Sequence, residues 1–220
     1  GMWECPELLE LDVKNVPGEK KWVFWSADGY YQTGEFDGYT FKAESIRKSG
    51  YASALPYAAQ TFSGIDGRVI SMAWLRMKNE RGNYRGLKSL PTELSLEKTG
   101  DDYKVCFAPV KELENLETEW YDNLKDTICP AGEACRIVLN PEAGTKGEWR
   151  LTIGMLRLTA DFYSGILSIE DTEAHVYYMK EKISTGQEIS FIFDQEVIEV
   201  FAENGKVYGA AETEENILGM

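Results

Sequence analysis

Hydrophobic and polar residues alternate along most of this chain, and a period of two is the pattern of half-buried β-strands. In ISFIFDQEVIEVF, for example, Ile189, Phe191 and Phe193 share one face, and Ser190 and Ile192 share the other. Similar runs, rich in β-branched and aromatic residues, recur along the sequence. They are KKWVFWS, RVISMAWLR, YKVCFAPV, RIVLN, EWRLTIGMLRLTADF, GILSIE, AHVYYMKE, EISFIFD and EVIEVFAENGKVYGAAET. We therefore predict an all-β fold.

Turn-forming dipeptides lie between or beside these runs. Aspartate or asparagine next to glycine tolerates the positive φ angles of tight hairpins. Such pairs include Asp28-Gly29, Asp37-Gly38, Asp66-Gly67, Gly100-Asp101 and Asn204-Gly205. Only PVKELENLETEWYDNLKD has spacing compatible with a helix, and its composition fits a loop equally well. Short strands at close spacing are typical of a sandwich, a barrel or a propeller.

The character of the chain changes near residue 110. Residues 2–110 contain long aromatic hairpins with glycine-rich loops, and residues 111–134 form a polar stretch. Residues 135–220 return to evenly alternating strands. We predict a first domain over 2–110, a linker over 111–134 and a β-sandwich over 135–220.

Charge and hydropathy narrow the classes of partner. The 220 residues contain 23 lysines and arginines against 37 aspartates and glutamates, a net charge of −14. Nucleic-acid binding needs a basic surface, so no nucleic-acid partner is predicted. No apolar run approaches the roughly 20 residues of a membrane span, and the chain contains no targeting signal. We predict no membrane partner, and the cellular location stays open.

Cysteine and histidine spacing predicts neither a metal site nor a cofactor. Cys5, Cys106, Cys129 and Cys135 contain no C-x-x-C pair, and His175 stands alone in a strand-like run. Structural zinc favours short paired spacings. The stretch CPAGEAC is compatible with a disulfide between Cys129 and Cys135 and equally with two free thiols.

Six short motifs occur in a particular order. WECPELLEL, YQTGEFDGYTF, YAAQTF, GRVISMAWL and LPTELSL follow one another in the first hundred residues, and FIFDQEVIEVFAENG comes near the end. Their order and spacing resemble the invertases, levanases and inulinases of glycoside hydrolase family 32, over nearly the whole chain. The resemblance implies the last blades of a five-bladed β-propeller over 2–110, followed by a C-terminal β-sandwich. It also implies hydrolysis of fructosyl bonds in sucrose, levan or inulin with retention of configuration.

Retention requires two carboxylates, one a nucleophile and one a general acid/base. The resemblance assigns the acid/base to Glu4 in WECP, although by composition alone Glu4 is one of 37 acidic residues on a solvated surface. The family nucleophile lies in a W-M-N-D-P-N-G type stretch, and a second aspartate lies in R-D-P. Neither stretch occurs in the 220 residues. We expect both to lie upstream of Met2 and the chain alone to be inactive.

The sugar contacts follow from the same resemblance. It implies that Trp74, Tyr57 and Trp3 bind the substrate. A propeller-core position is an equal alternative for Trp74, and the acidic Asp-Phe pair that often precedes the family tyrosine is absent before Tyr57. In the sandwich, Asp194 and Glu199 are interpreted as structural residues.

Three hypotheses for function follow. The first is a portion of a fructan- or sucrose-cleaving hydrolase, with a fructose-containing oligo- or polysaccharide as partner. The second is a non-catalytic carbohydrate-binding remnant that uses exposed aromatic residues such as Trp74 and Trp149. The third is a structural or interaction piece. About two blades cannot close a five-bladed ring, so we also expect apolar flanks to be exposed on the isolated chain. A second copy in a homo-oligomer, or a missing N-terminal portion, would cover them.

Overall fold

The computed structural model describes residues 4–81, 84–120 and 134–213. Within these ranges eighteen β-strands form four antiparallel sheets, accompanied by two short 3₁₀-helices. The predicted all-β fold is confirmed. No helix in the described ranges has the length and apolar character needed to cross a membrane.

The first sheet has the strand order β1-β2-β3-β4, with β5 also paired to β3. Its strands are β1 (Glu7–Asp12), β2 (Lys20–Trp25), β3 (Tyr30–Phe36), β4 (Phe41–Ala43) and β5 (Lys48–Ser49). The Asp28-Gly29 pair connects β2 to β3, and Gly29 has a φ of 76°. A Cβ at Gly29 would lie 2.1 Å from a ring atom of Tyr51, so both the turn and the packing require glycine here.

The second sheet has the order β10-β9-β7-β6, with β8 paired to β7. Its strands are β6 (Pro56–Thr61), β7 (Val69–Arg81), β8 (Tyr84–Lys88), β9 (Thr92–Thr99) and β10 (Asp102–Pro109). One apolar cluster joins the two sheets, and it includes Leu11, Val23, Trp25, Leu96 and Phe107. Two antiparallel sheets that pack face to face are the arrangement of neighbouring propeller blades.

The remaining strands form a sandwich of two sheets. They are β11 (Cys135–Leu139), β12 (Glu148–Ile153), β13 (Leu156–Asp161), β14 (Ile166–Asp171), β15 (Val176–Lys182), β16 (Ile189–Asp194), β17 (Val197–Ala202) and β18 (Val207–Glu212). The sheet orders are β11-β16-β17-β18 and β12-β13-β14-β15. Between the sheets lies a core that contains Ile189, Phe191 and Phe193, so the alternation predicted for β16 is confirmed.

Strand β17 is buried along its whole length. Ile198 and Val200 point into the sandwich core. On the opposite face Phe201 joins the cluster between the first two sheets, and Val197 packs with Leu75 of β7. The outer face of this sandwich sheet is therefore an interface with the propeller-type sheets.

The chain changes sheet partners between Pro109 and Cys135. In this interval Lys111–Leu116 forms a 3₁₀-helix, and residues 121–133 lie outside the described residues. On this basis we propose the division into a propeller portion over 2–110, a linker over 111–134 and a sandwich over 135–220.

Two details of the strand prediction are wrong. EWRLTIGMLRLTADF is two strands, β12 and β13, because Gly154 takes a φ of 53° and reverses the chain. His175 precedes β15 instead of lying within it, and its φ of 55° places it in the turn after β14.

Candidate active site

Glu4 lies just ahead of β1, where its backbone is tied to the turn that follows β2. Its carbonyl oxygen accepts a hydrogen bond from the Ala27 N–H at 2.9 Å. Cys5 has a φ of 42°, a left-handed conformation that is uncommon for a residue with a side chain. This sharp change of direction, followed by Pro6, separates Glu4 from the strand and leaves its side chain exposed.

Ala27 also reaches the second sheet, and so brings two predicted site residues together. Its carbonyl oxygen accepts from the Ala58 N–H at 2.7 Å. Ala58 has a φ of 46° and lies in an irregularity of the β6–β7 pairing between Tyr57 and Gln60. As a result, the Tyr57 hydroxyl donates a hydrogen bond to Glu4 Oε2.

The hydrogen bond between Tyr57 and Glu4 also changes the acidity of the Tyr57 hydroxyl. The hydrogen bond that the Tyr57 hydroxyl donates to Glu4 raises the pKa of Tyr57. The phenol therefore stays protonated and remains a donor. The Arg76 guanidinium carbon lies 4.2 Å from the centroid of the Tyr57 ring, and Arg76 Nη2 donates to the Ala54 carbonyl at 2.8 Å. Arg76 thus packs on the ring that contacts Glu4.

Sequence reasoning missed Arg76. The available signal was its spacing, because Arg76 follows Trp74 by two residues on β7 and therefore shares its face of the sheet.

Trp74 is on the surface, next to Tyr57. The two residues are cross-strand partners on β7 and β6, and their rings meet edge to face with centroids 6.4 Å apart. Trp74 is 36% exposed. Its indole covers Gly86, at which an added Cβ would lie 2.2 Å from Trp74 Nε1. The alternative prediction that Trp74 belongs to the propeller core is therefore wrong. The third predicted contact, Trp3, lies outside the described residues.

A second carboxylate near the start of the chain was not predicted. Glu7 Oε1 accepts hydrogen bonds from the backbone N–H and the hydroxyl of Thr61, both at 3.0 Å. Glu7 pairs with Trp25 across the β1–β2 ladder. Glu7 Oε2 and Trp25 Nε1 are both buried, and neither has a hydrogen-bond partner among the described residues. Its position in the apolar run ELLEL gave no sign of this environment.

Other predicted features lie away from Glu4 or outside the described residues. Trp149 is half-buried and stacks on Phe191 with ring centroids 5.0 Å apart, so it belongs to the edge of the sandwich core and is not an exposed sugar platform. Cys135 is disulfide-bonded, while Cys129 lies outside the described residues. In the described ranges no three histidine, cysteine, aspartate or glutamate side chains are grouped to hold a metal ion.

Comparison with known proteins assigns a family. Residues 1–109 match the model of the glycosyl hydrolases family 32 N-terminal domain. A levanase of Bacillus subtilis is 33% identical over 172 residues, which cover 67% of this chain and 24% of the levanase. A sucrose-6-phosphate hydrolase of Zymomonas mobilis is 32% identical over 134 residues, which cover 52% of this chain and 24% of that enzyme. The matched part of the chain thus spans about a quarter of these relatives.

Solved structures share the fold. Exo-inulinase from Aspergillus awamori superposes with a TM-score of 0.81 at 19% identity, over 100% of this chain and 53% of the inulinase chain. Sucrose-6-phosphate hydrolase from Lactobacillus gasseri gives 0.70 at 17% identity, over 99% of this chain and 51% of that one. The match of the family model, the similarity to levanase and the shared fold together show that this chain belongs to glycoside hydrolase family 32.

Proposed function

We propose that this chain is a portion of a retaining glycoside hydrolase that cleaves fructosyl bonds in sucrose or a fructan, with Glu4 as its general acid/base. The hydrogen bond from Tyr57 to Glu4, beside the open indole of Trp74, carries the proposal. Levanase, sucrose-6-phosphate hydrolase and invertase among the relatives support this substrate class.

Each group has a chemical task in this proposal. Glu4 protonates the leaving oxygen and then, as a base, deprotonates the attacking water. Tyr57 orients the Glu4 carboxylate through its hydroxyl. Trp74 and, by resemblance, Trp3 offer flat surfaces to the apolar side of a sugar ring. Arg76 holds the Tyr57 ring in place.

The proposed catalytic machinery is incomplete in these 220 residues. Neither a W-M-N-D-P-N-G stretch nor an R-D-P stretch occurs in the sequence. General acid catalysis alone contributes typically ~10²–10⁴-fold. Enzymes commonly accelerate reactions by about 10⁶-fold or more. We therefore propose that further polypeptide supplies the nucleophile and that the chain alone is inactive.

Fructose release from sucrose, levan and inulin tests this. We expect the purified chain to release fructose no faster than its Glu4→Gln variant, because Glu4 has no nucleophile to assist. Turnover clearly above the variant would show that the nucleophile lies in this sequence or is donated by a second copy. Binding of levan without turnover, lost on Trp74→Ala, would favour a carbohydrate-binding function, since the Trp74 side chain is exposed beside Tyr57.

The first sheet presents an aromatic surface on the side away from its core. Val23 and Trp25 point into the core, so their neighbours on β2 point outward. The outward residues form two aromatic pairs, Trp22 with Phe36 and Phe24 with Phe41. The nearby Tyr39 and Ile46 are 96% and 81% exposed. We propose that a second copy or further polypeptide covers this face.

Light scattering distinguishes the two occupants. If a second copy covers the aromatic face, the purified chain should have the mass of a dimer or larger species at high concentration, and Phe24→Lys should reduce that mass. A monomer at every concentration would contradict self-association and leave further polypeptide as the occupant.

A further inference from the structure

Glu199 lies in the interface between the sandwich and the second propeller-type sheet. It belongs to β17 and is 4% exposed. Its Oε1 accepts a hydrogen bond from the Leu90 N–H at 2.7 Å, and its Oε2 accepts one from the Tyr208 hydroxyl at 2.6 Å. One buried carboxylate therefore joins β18 of the sandwich to the segment Ser89–Pro91 that leads into β9.

The segment that Glu199 holds is bonded to the strand that carries Trp74. The Ser89 N–H donates to the Ala73 carbonyl at 2.9 Å, and the Ala73 N–H donates to Ser89 Oγ, also at 2.9 Å. Ala73 precedes Trp74, which pairs with Tyr57. A continuous series of hydrogen bonds and one strand pairing thus lead from Glu199 to the residues beside Glu4.

We propose that Glu199 is a positioning residue, whose carboxylate holds Ser89–Pro91 and through it fixes Trp74 and Tyr57 at the candidate site. This inference rests on the function proposed above, because it gives the sandwich a part in shaping the sugar site. An apolar side chain would fill the same space without the cost of burying a charge. The two hydrogen bonds give the carboxylate a task that such a side chain does not perform.

The position of this segment then depends on pH. Burial raises the pKa of Glu199 to about 7, and the neighbouring Asp194 carboxylate acts in the same direction. Tyr208 and Tyr51 also face Glu199, and burial keeps both hydroxyls protonated by raising the pKa of each. Below neutral pH one oxygen of Glu199 carries a proton, so the charge-assisted bond to the Leu90 N–H weakens as pH falls.

Nuclear magnetic resonance of the ¹⁵N-labelled chain between pH 5 and 9 tests the proposal without a sugar. We expect the chemical shifts of the Leu90 and Ala73 amides and of the Trp74 indole N–H to follow one titration curve with its midpoint near pH 7. In Glu199→Gln these three resonances should not titrate. In Glu188→Gln, which removes an exposed carboxyl of the same domain, they should titrate as in the wild type.

The wild-type titration decides the matter even where a variant does not fold. A Leu90 amide that titrates while the Trp74 indole stays fixed would overturn the proposal, and so would three resonances that do not move. Tyr208→Phe removes one donor to the carboxylate and should raise the midpoint by about one pH unit. Because the experiment contains no substrate, its failure leaves the proposed hydrolase function standing, and failure of the fructose assay leaves this result standing.

Discussion

Phe201→Ala is expected to lower the free energy of unfolding by about 3–5 kcal/mol. Phe201 is 5% exposed and stacks on Tyr208 with ring centroids 4.9 Å apart. Tyr208 in turn packs on Phe107 of β10, also at 4.9 Å. Removal of the Phe201 ring leaves a cavity in the interface between the sandwich and the propeller-type sheets, where both sides are already closely packed.

Urea unfolding followed by circular dichroism measures this loss. Phe62→Ala is the matched control, because it removes the same ring from a position that is 49% exposed and should change stability by no more than about 0.5 kcal/mol. Equal losses in the two variants would show that the interface around Phe201 is loose in solution.

Glu199→Gln is expected to be more stable than the wild type at alkaline pH. The pKa of Glu199 is about 7 in the folded chain against an ordinary value of 4.5, so between these values the folded state binds more protons than the unfolded state. Stability from this group is therefore complete below pH 4.5 and is lost as pH rises through 7. The loss is on the order of 3 kcal/mol, and glutamine, which does not ionise, escapes it.

Unfolding free energies of the two proteins at pH 4.5 and pH 8.5 test the sign. The difference should favour the variant at pH 8.5 and shrink or reverse at pH 4.5, where the protonated glutamate is itself neutral. Glu188→Gln provides the control, since that carboxyl is half exposed and pairs with Arg136. A wild type at least as stable as Glu199→Gln at pH 8.5 would show that the buried carboxylate is better solvated than its surroundings indicate.

Local chemistry explains what could be predicted from the sequence. All five aspartate–glycine, glycine–aspartate or asparagine–glycine pairs lie between strands, because positive φ is a property of a residue and its neighbour. The reversal at Gly154 was missed because Ile153 and Met155 flank it, and these apolar neighbours resemble the interior of a strand. The alternation of β16 followed from period two for the same local reason.

Contacts between distant segments could not be predicted. Nothing near Ala27 in the sequence indicates that its backbone joins Glu4 to Ala58. The alternating pattern of β17 predicted which of its residues face outward. It did not predict which residues of the other sheets pack against them. The sequence therefore indicated a structural role for Glu199 but did not identify its partner. That partner, Leu90, lies more than a hundred residues earlier in the chain.

Burial of β17 on both faces has a consequence for how such proteins can be recombined. A sandwich taken from one relative and joined to the propeller of another would keep its own inner core intact. Its outward residues would nevertheless meet an unfamiliar surface where Phe201 and Val197 now pack. Chimaeras that exchange β16–β18 together with the blade they contact should be more stable than chimaeras joined within the linker. The segments that have to be exchanged together therefore include parts of both the sandwich and the propeller portion.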